Sequence, residues 1–326
     1  MAEHDQLFKR AFRVPENVAG ELASVLPAGV LAALDLTSLE AVPGDHVDAR
    51  LRERLSDALF RARFSGEVGF IYLLLEHQSE VDRWMPLRLL EQAVRIWRGV
   101  LRNEPARVRL PPVVCVVVHH GESGWTGPRT LHELVAGLPA TEGLDALVPN
   151  FQFVLDDLSS QSDEALTARP LEPFPKLVLW ALRDGRSAAR LKEHLVVWAP
   201  ALDRLSREST EDARTLLRYL LLIAGDDAVK DLEQELVRVA PATEVVMGTV
   251  GERLIETGRV KGHAAGKAEG KAEGKAEGVL AVLSARGLAV SEEQRARVVT
   301  CTDLALLDGW LRTAVTCTEA DALFSH

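Results

Sequence analysis

Cysteine is scarce in this chain: three residues, Cys115, Cys301 and Cys317, among 326. The odd count argues against a disulfide framework, and their spacing fits no metal-ligand pattern, so a reducing cytoplasm is the expected setting. Long apolar runs are missing too. The longest are far too short to span a bilayer, and the opening Met1-Ala2-Glu3-His4-Asp5 lacks the basic and apolar regions of a signal peptide. No membrane partner is expected. Positive charge is also short. The net charge of −10 argues, taken globally, against nucleic-acid binding, which relies on Lys and Arg to neutralise phosphates. What the chain has is length and apolar content. At 47% hydrophobic it can build a real core, large enough for one sizeable domain plus extensions.

The charge average hides a local exception. Between Arg83 and Arg109 seven arginines face two acids, Glu91 and Glu104, a net +5 in 27 residues. Arg88, Arg95 and Arg102 recur every seven residues and share one helical face. An ordinary solvated face and a phosphate-contacting face are both compatible with that spacing.

Periodicity divides the chain. Residues 4–34 carry apolar groups at helical spacing, with Pro15 and Pro27 as breakers. Residues 54–64 alternate, Ala58, Phe60, Ala62 and Phe64 on one side and Asp57, Leu59, Arg61 and Arg63 on the other, the mark of a half-buried strand. Ser65-Gly66-Glu67 reads as a turn into a second strand over 68–78. Pro86 to Arg102 is an amphipathic helix, Val113–His119 a third strand, and Phe151–Leu155 a fourth that runs into Asp156-Asp157. Strand, strand, helix, strand, strand predicts an α/β fold around a mixed sheet. Residues 170–257 read as helices, with Trp180 and Trp198 in the core, as are Trp84 and Trp97. Residues 266–277 are three identical copies of Gly-Lys-Ala-Glu closed by Gly278. Each glycine costs about 1 kcal/mol against helix, so a polar, marginal helix or spacer with little to bury is expected. A helical tail follows over 279–326, with Ser291 as a cap and Gln294 at the capping-box position.

The most informative segment is Tyr72-Leu73-Leu74-Leu75-Glu76-His77-Gln78-Ser79. An apolar strand has no evident reason to end in a carboxylate and an amide. Alternation puts Glu76 and Gln78 on one face and His77 on the other, where packing or a backbone hydrogen bond is expected. If Asp57 lies on the neighbouring strand, two carboxylates and an amide converge, at an expected separation of about 4–6 Å, where charges couple. Such an oxygen-lined site suits Mg²⁺. A glutamate that simply meets solvent or pairs with Arg83 remains the alternative.

At these residues a resemblance emerges. The chain resembles the recombination-promoting nuclease / putative transposase family, a branch of the PD-(D/E)XK nuclease superfamily. The matching stretches are His4-Asp5-Gln6-Leu7-Phe8-Lys9, Arg54-Leu55-Ser56-Asp57-Ala58-Leu59-Phe60, Tyr72 to Ser79, Arg83-Trp84-Met85-Pro86-Leu87-Arg88-Leu89-Leu90, Leu110-Pro111-Pro112-Val113, His119-His120-Gly121 with Trp125, and Phe153 to Leu158. The resemblance implies a PD-(D/E)XK-like mixed β-sheet core flanked by helices, with an α-helical C-terminal extension. The expected division is a nuclease domain over 1–200, a helical region over 201–258, the repeat as a helix or linker over 259–278, and a small helical tail over 279–326.

The activity implied is that of a metal-dependent DNA endonuclease promoting DNA recombination. Asp57 and Glu76 would hold Mg²⁺, or another divalent cation such as Ca²⁺ or Mn²⁺. Gln78 takes the place of the superfamily's lysine, a departure that bears on rate. Superfamily members also use an acid from the first helix, for which Glu21 and Glu16 are candidates. Asp5 is expected to cap a helix, and Asp157 either to support the ligands from behind or to cap a loop. His119 and His120, adjacent on a strand, face opposite ways and do not form a metal pair. Arg83, Arg88, Arg95 and Arg102 are the candidate DNA contacts, and a homodimer through the C-terminal helical region is the assembly expected for cutting two strands. The rival expectation is a nuclease-fold protein with weak or no catalysis that binds DNA or a partner, suggested by the acidic charge and Gln78.

Overall fold

The structure, a computed structural model, describes residues 2–42, 57–76, 81–121, 123–225, 228–248, 271–272 and 274–324, with the backbone alone at 2, 57, 73–76 and 139. The chain divides into two compact units, Met1–Val250 and Gly251–His326.

The first unit is mixed α/β. Three helices, α1 (Ala2–Phe12), α2 (Pro15–Val25) and α3 (Ala28–Ala33), lead into β1 (Leu34–Ala41), β2 (Asp57–Phe64) and β3 (Glu67–Glu76). Helix α4 (Met85–Asn103) crosses over to β4 (Val113–His119), and β5 (Val154–Asp157) closes a five-stranded sheet of order β1-β2-β3-β4-β5. β1 and β2 are antiparallel, as are β2 and β3; β3, β4 and β5 run parallel. The two prolines begin helices rather than only ending them: Pro15 opens α2 and Pro27 is the residue before α3. Pro fits a helix start because its missing N–H has no partner there.

Strand β1 was not legible in the sequence. A bulge between Asp35 and Glu40 breaks its register against β2, so the period-2 signal is lost. Both Thr37 groups, N–H and Oγ1–H, donate to Asp35 Oδ1 at 3.1 and 2.7 Å, folding the bulge locally. The β2–β3 hairpin follows expectation. Phe64 pairs with Glu67 across Ser65 and Gly66, both with positive φ (48° and 87°), the two-residue geometry that matches strand twist.

Sheet alternation separates two buried faces. On one, Tyr72, Cys115, Val117 and Phe153 pack with Met85, Leu89 and Ile96 of α4; burying each large apolar side chain is worth about 1.5–3 kcal/mol. Trp97 Nε1 donates to the Pro111 carbonyl at 2.8 Å, fixing the far end of α4 at the start of β4. Trp84 departs from expectation. It sits just before α4 and is 56% exposed, because the apolar stripe begins at Met85. The other face carries Phe60, Ala62, Ile71, Val116 and Val118, all buried.

Beyond the sheet come α5 (Asp163–Thr167), α6 (Pro173–Asp184), α7 (Ala188–Glu208), α8 (Thr210–Ala224) and α9 (Val229–Val239). Trp180 and Trp198 stack at 5.7 Å and are fully buried, as expected for core residues. The two ends of this unit meet where His4 Nδ1 lies 2.5 Å from the Tyr219 hydroxyl.

The second unit, where described, is helical: α10 (274–285), α11 (Glu292–Val299) and α12 (Leu304–Thr316), with a 3₁₀ turn over Ala320–Phe324. The Ser291–Gln294 capping box is present. The repeat buries more than expected. Ala272 and Ala276 of the second and third copies are buried in one core with Val279, Leu283, Leu307 and Trp310. The four-residue period stacks the alanines on one face, so they extend the stripe of α10. Arg286 Nη1 donates to the carbonyls of Ala314 and Cys317 at 2.8 and 2.6 Å, capping the end of α12.

Candidate active site at the strand ends

The parallel strands β3, β4 and β5 end side by side. Glu76 is the register partner of His119, and His119 of Asp157. In the antiparallel pair Asp57 stands opposite Leu74, two residues before Glu76. Opposed residues share a face, as do i and i+2. Positions 57, 74, 76, 119 and 157 therefore belong to the face covered by α4. The side chains of Asp57 and Glu76, and the whole of Gln78 and His77, lie outside the described residues.

The neighbours of that row are defined. Asp157 is the loop cap of the two roles expected for it. Its Oδ1 accepts the Ser159 hydroxyl at 2.7 Å and the Ser159 N–H at 3.3 Å, and its Oδ2 accepts the Trp125 N–H at 2.8 Å. Gly124, with φ +73°, lets that loop pass close by: a Cβ there would stand 3.2 Å from Asp157 Oδ2. His119 and His120 do face opposite ways. The His119 ring packs edge-on to Trp125, centroids 5.2 Å apart, whereas His120 Nδ1 lies 3.1 Å from the Leu182 carbonyl. Burial pushes the His119 pKa below its ordinary value, and Asp157 opposes that shift.

Glu21 takes a different place. It is fully buried on α2, and both its oxygens accept from Arg169 Nη1, at 2.7 and 2.8 Å. Arg169 also grips Asp156, Nη1 to Oδ2 and Nη2 to Oδ1, both at 2.8 Å. Asp156 alternates with Asp157, so this triad sits on the opposite face of the sheet from the Asp57–Glu76 row. Gly20 permits it: a Cβ there would meet the Pro170 carbonyl at 2.3 Å, so only glycine lets α2 approach the strand of chain that bears Arg169. Burial first, then the Asp156 charge, pushes the Glu21 carboxyl up to about 8, against the pull of Arg169. An open cleft of about 500 Å³ beside it is lined in part by Ser24, Asp156, Gln161 and Arg169. Glu16 lies in the first turn of α2. Asp5 lies inside the first turns of α1 instead of capping it, because the helix already begins at Ala2.

One group of potential metal ligands was not foreseen. Ligand atoms of Asp163, Asp184 and His194 lie within 4.8 Å of one another. Arg183 occupies that space. Its Nη2 donates to Asp163 at 2.5 Å and to Asp184 at 2.6 Å and lies 3.0 Å from His194 Nδ1, and its Nε donates to Asp184 at 2.9 Å. The guanidinium already supplies the positive charge these acids need, so the cluster is an ion-pair network. No sequence motif marks it, since its members come from three elements.

The predicted arginines vary. Arg83 and Arg102 are exposed, and Arg95 is half-buried. Arg88 is 18% exposed and pairs with Asp82 at 2.8 Å. The three cysteines are unpaired. Among the described residues no helix is long and apolar enough to cross a membrane.

A five-stranded mixed sheet flanked by helices places the chain among mixed α/β proteins. It belongs to the YhgA-like putative transposase family, which it matches over residues 2–241. It is similar to recombination-promoting nuclease RpnD of Escherichia coli O157:H7, 26% identical over 253 residues, covering 77% of this chain and 93% of that protein. Recombination-promoting nuclease RpnA of Escherichia coli K12 is 33% identical over 118 residues, 36% of this chain and 40% of RpnA. The inactive recombination-promoting nuclease-like protein RpnE of the same strain is 26% identical over 268 residues, 79% of this chain and 83% of RpnE. No solved structure matches the chain.

Proposed function

We propose that this protein is a Mg²⁺-dependent DNA endonuclease on a PD-(D/E)XK-like core, hydrolysing phosphodiester bonds in the course of DNA recombination. The observation that carries the reading is the β2–β3 register, which sets Asp57 opposite Leu74, two residues before Glu76. Nuclease-named relatives support it.

The residues fit a divalent cation. The donor set is all oxygen, which suits Mg²⁺ and, less selectively, Ca²⁺ or Mn²⁺. Two carboxylate positions on one face of a buried sheet need a cation or a proton between them. Asp57 and Glu76 would hold the ion, which when bound polarises a phosphate and lowers the pKa of water. Gln78 positions that water through its amide but, unlike a lysine, brings no charge to the developing phosphorane. Glu21 is left out of this set because Arg169 already holds it. Arg83, just before α4, and Arg95 and Arg102 along it contact the DNA backbone, and Arg88 joins them by exchanging Asp82 for a phosphate. From Arg88 to Arg102 is about 21 Å at 1.5 Å per residue, and phosphates along one strand recur about every 3.4 Å. A two-fold pair through the 251–326 unit would offer one site to each strand, in a cytoplasmic setting.

A second reading has its own support: relatives named inactive, together with Gln78 where a lysine is usual. In it the same fold binds DNA or a partner and does not cut. Supercoiled plasmid incubated with the protein and Mg²⁺, beside Asp57→Ala and Glu76→Ala, separates the two. The enzyme nicks, and both variants lose nicking. If wild type binds DNA yet leaves it intact with Mg²⁺, Mn²⁺ and Ca²⁺ alike, the binding reading stands instead.

A further inference from the structure

Of the six tryptophans, five are buried or half-buried. Trp84 is the exception, at 56% exposed. A lone exposed apolar side chain is ordinary, but the surroundings of Trp84 are not.

Its backbone is pinned. Asp82 Oδ1 accepts the Trp84 N–H at 2.8 Å, and Asp82 Oδ2 accepts from Arg88 Nη1 at 2.8 Å. The Trp84 carbonyl accepts the Arg88 N–H at 2.9 Å, and Met85 next to it is fully buried. The ring therefore stands in solvent on a fixed stem, which lowers the ordering cost when a flat partner stacks on it.

Its turn is docked at the strand ends. Val81, three residues earlier, lies so close to Gly127 that a Cβ there would stand 2.5 Å from Val81 Cγ1. Trp125 Nε1 donates to the Gly127 carbonyl at 2.8 Å, and the Trp125 N–H donates to Asp157 at the end of β5, also at 2.8 Å. The loop that β5 holds in place thus carries the turn that presents Trp84.

Trp84 also heads a basic stripe. Steps of four and three residues along α4 lead from it to Arg88, Glu91, Arg95, Arg98 and Arg102, which share one helical face. Four arginines against one acid make that face complementary to phosphates. Leu87, at i+3 from Trp84, is exposed as well and widens the apolar head of the stripe.

We infer that Trp84 is a stacking platform for an unpaired base of a DNA strand whose phosphates follow the arginines of α4, so that the protein favours single-stranded DNA over intact duplex. The inference rests on the DNA reading of α4 and not on cleavage. Every nucleobase has a face that stacks on an aromatic ring, whatever its identity. In a duplex both faces of a base are covered by its neighbours, so only a base outside the stack reaches the indole. An aromatic ring beside a positively charged track is the combination that holds single strands.

The test is binding by the full chain in EDTA, where metal-dependent cutting cannot intervene. Fluorescence anisotropy follows a labelled oligothymidylate, alone and paired with oligodeoxyadenylate. Wild type is compared with Trp84→Ala, Trp84→Leu and Trp84→Phe, with thermal unfolding of each. Wild type is expected to bind the single strand more tightly than the duplex. Trp84→Ala and Trp84→Leu should lose about 5- to 150-fold on the single strand and change little on the duplex, while Trp84→Phe keeps most of the affinity. Equal single-strand affinity in all four proteins, an equal loss on both DNAs, a wild type that prefers duplex, or a Leu variant as good as Phe each overturns the platform. If Trp84→Ala fails to fold, the Phe and Leu variants decide. Wild type that binds neither DNA sinks the DNA reading of α4 and the platform with it. Single-strand binding lost in the double variant Arg95→Ala and Arg102→Ala but unchanged in Trp84→Ala leaves that reading standing and overturns the platform alone.

Discussion

Asp156 and Asp157 are adjacent in sequence and serve opposite faces of the sheet. Asp156 is 2% exposed and joined to Arg169 by two bonds of 2.8 Å; Asp157 ties Trp125 and Ser159 to the end of β5. The first anchors α2 to the sheet through Glu21. The second anchors the loop that follows β4, and with it the surroundings of His119.

The Glu21 side of this arrangement makes stability depend on pH. The folded carboxyl is raised to about 8 from an ordinary value of 4.5, so between those values the folded state binds more protons than the unfolded state. Stability from this group is fully present below about pH 4.5 and is lost as pH rises through about 8, with a limiting slope near 1.4 kcal/mol per pH unit for one proton. Glu21→Gln keeps the shape and removes the proton. Urea unfolding of both proteins from pH 5 to 9 should show the variant gaining on wild type as pH rises, levelling off above about 8. A constant difference across the range would mean Glu21 does not hold the proton.

Arg183 is the keystone of the Asp163–Asp184–His194 group. It is 2% exposed at its side chain, and Asp184 is fully buried. Arg190 at 3.0 Å and His194 at 2.7 Å still face Asp184 when Arg183 is removed, so the cost is expected at the low end of the about 3–5 kcal/mol of a broken buried pair. Arg183→Met should lower the unfolding free energy by that amount in chemical denaturation, and should do so equally with and without Mn²⁺. A loss below about 1 kcal/mol would show that the acids are neutralised by something else.

The β2–β3 turn is open to improvement. Ser65 adopts φ 48° beside Gly66 at 87°, a conformation in which Asn is more comfortable than Ser. Ser65→Asn should stabilise the first unit by a few tenths to about 1 kcal/mol, seen as a higher unfolding midpoint. No gain, or a loss, would indicate that the turn is not of this type in solution.

What the sequence alone determined is what local physics controls. Alternation over 54–64 and the apolar run within 68–78 marked two strands and a turn, the heptad-spaced arginines and apolar stripe marked α4, and Ser291 with Gln294 marked a helix start. Each signal is carried by neighbours a few residues apart. The same alternation separated His119 from His120.

Only tertiary structure decided the rest. The Glu21–Arg169–Asp156 triad joins residues 148 and 13 positions apart, and nothing local in α2 distinguishes an acid bound for an arginine from one bound for a metal. β1 was hidden because its bulge destroys the period-2 pattern, and Trp84 because an exposed tryptophan at a helix start has the same spacing as a buried one. The alanines of the repeat read as polar spacer until α10 and α12 supplied a core for them. His119 looked like a strand residue; only the fold brought the Trp125 ring edge-on to it and the Gly121 N–H to its Nε2.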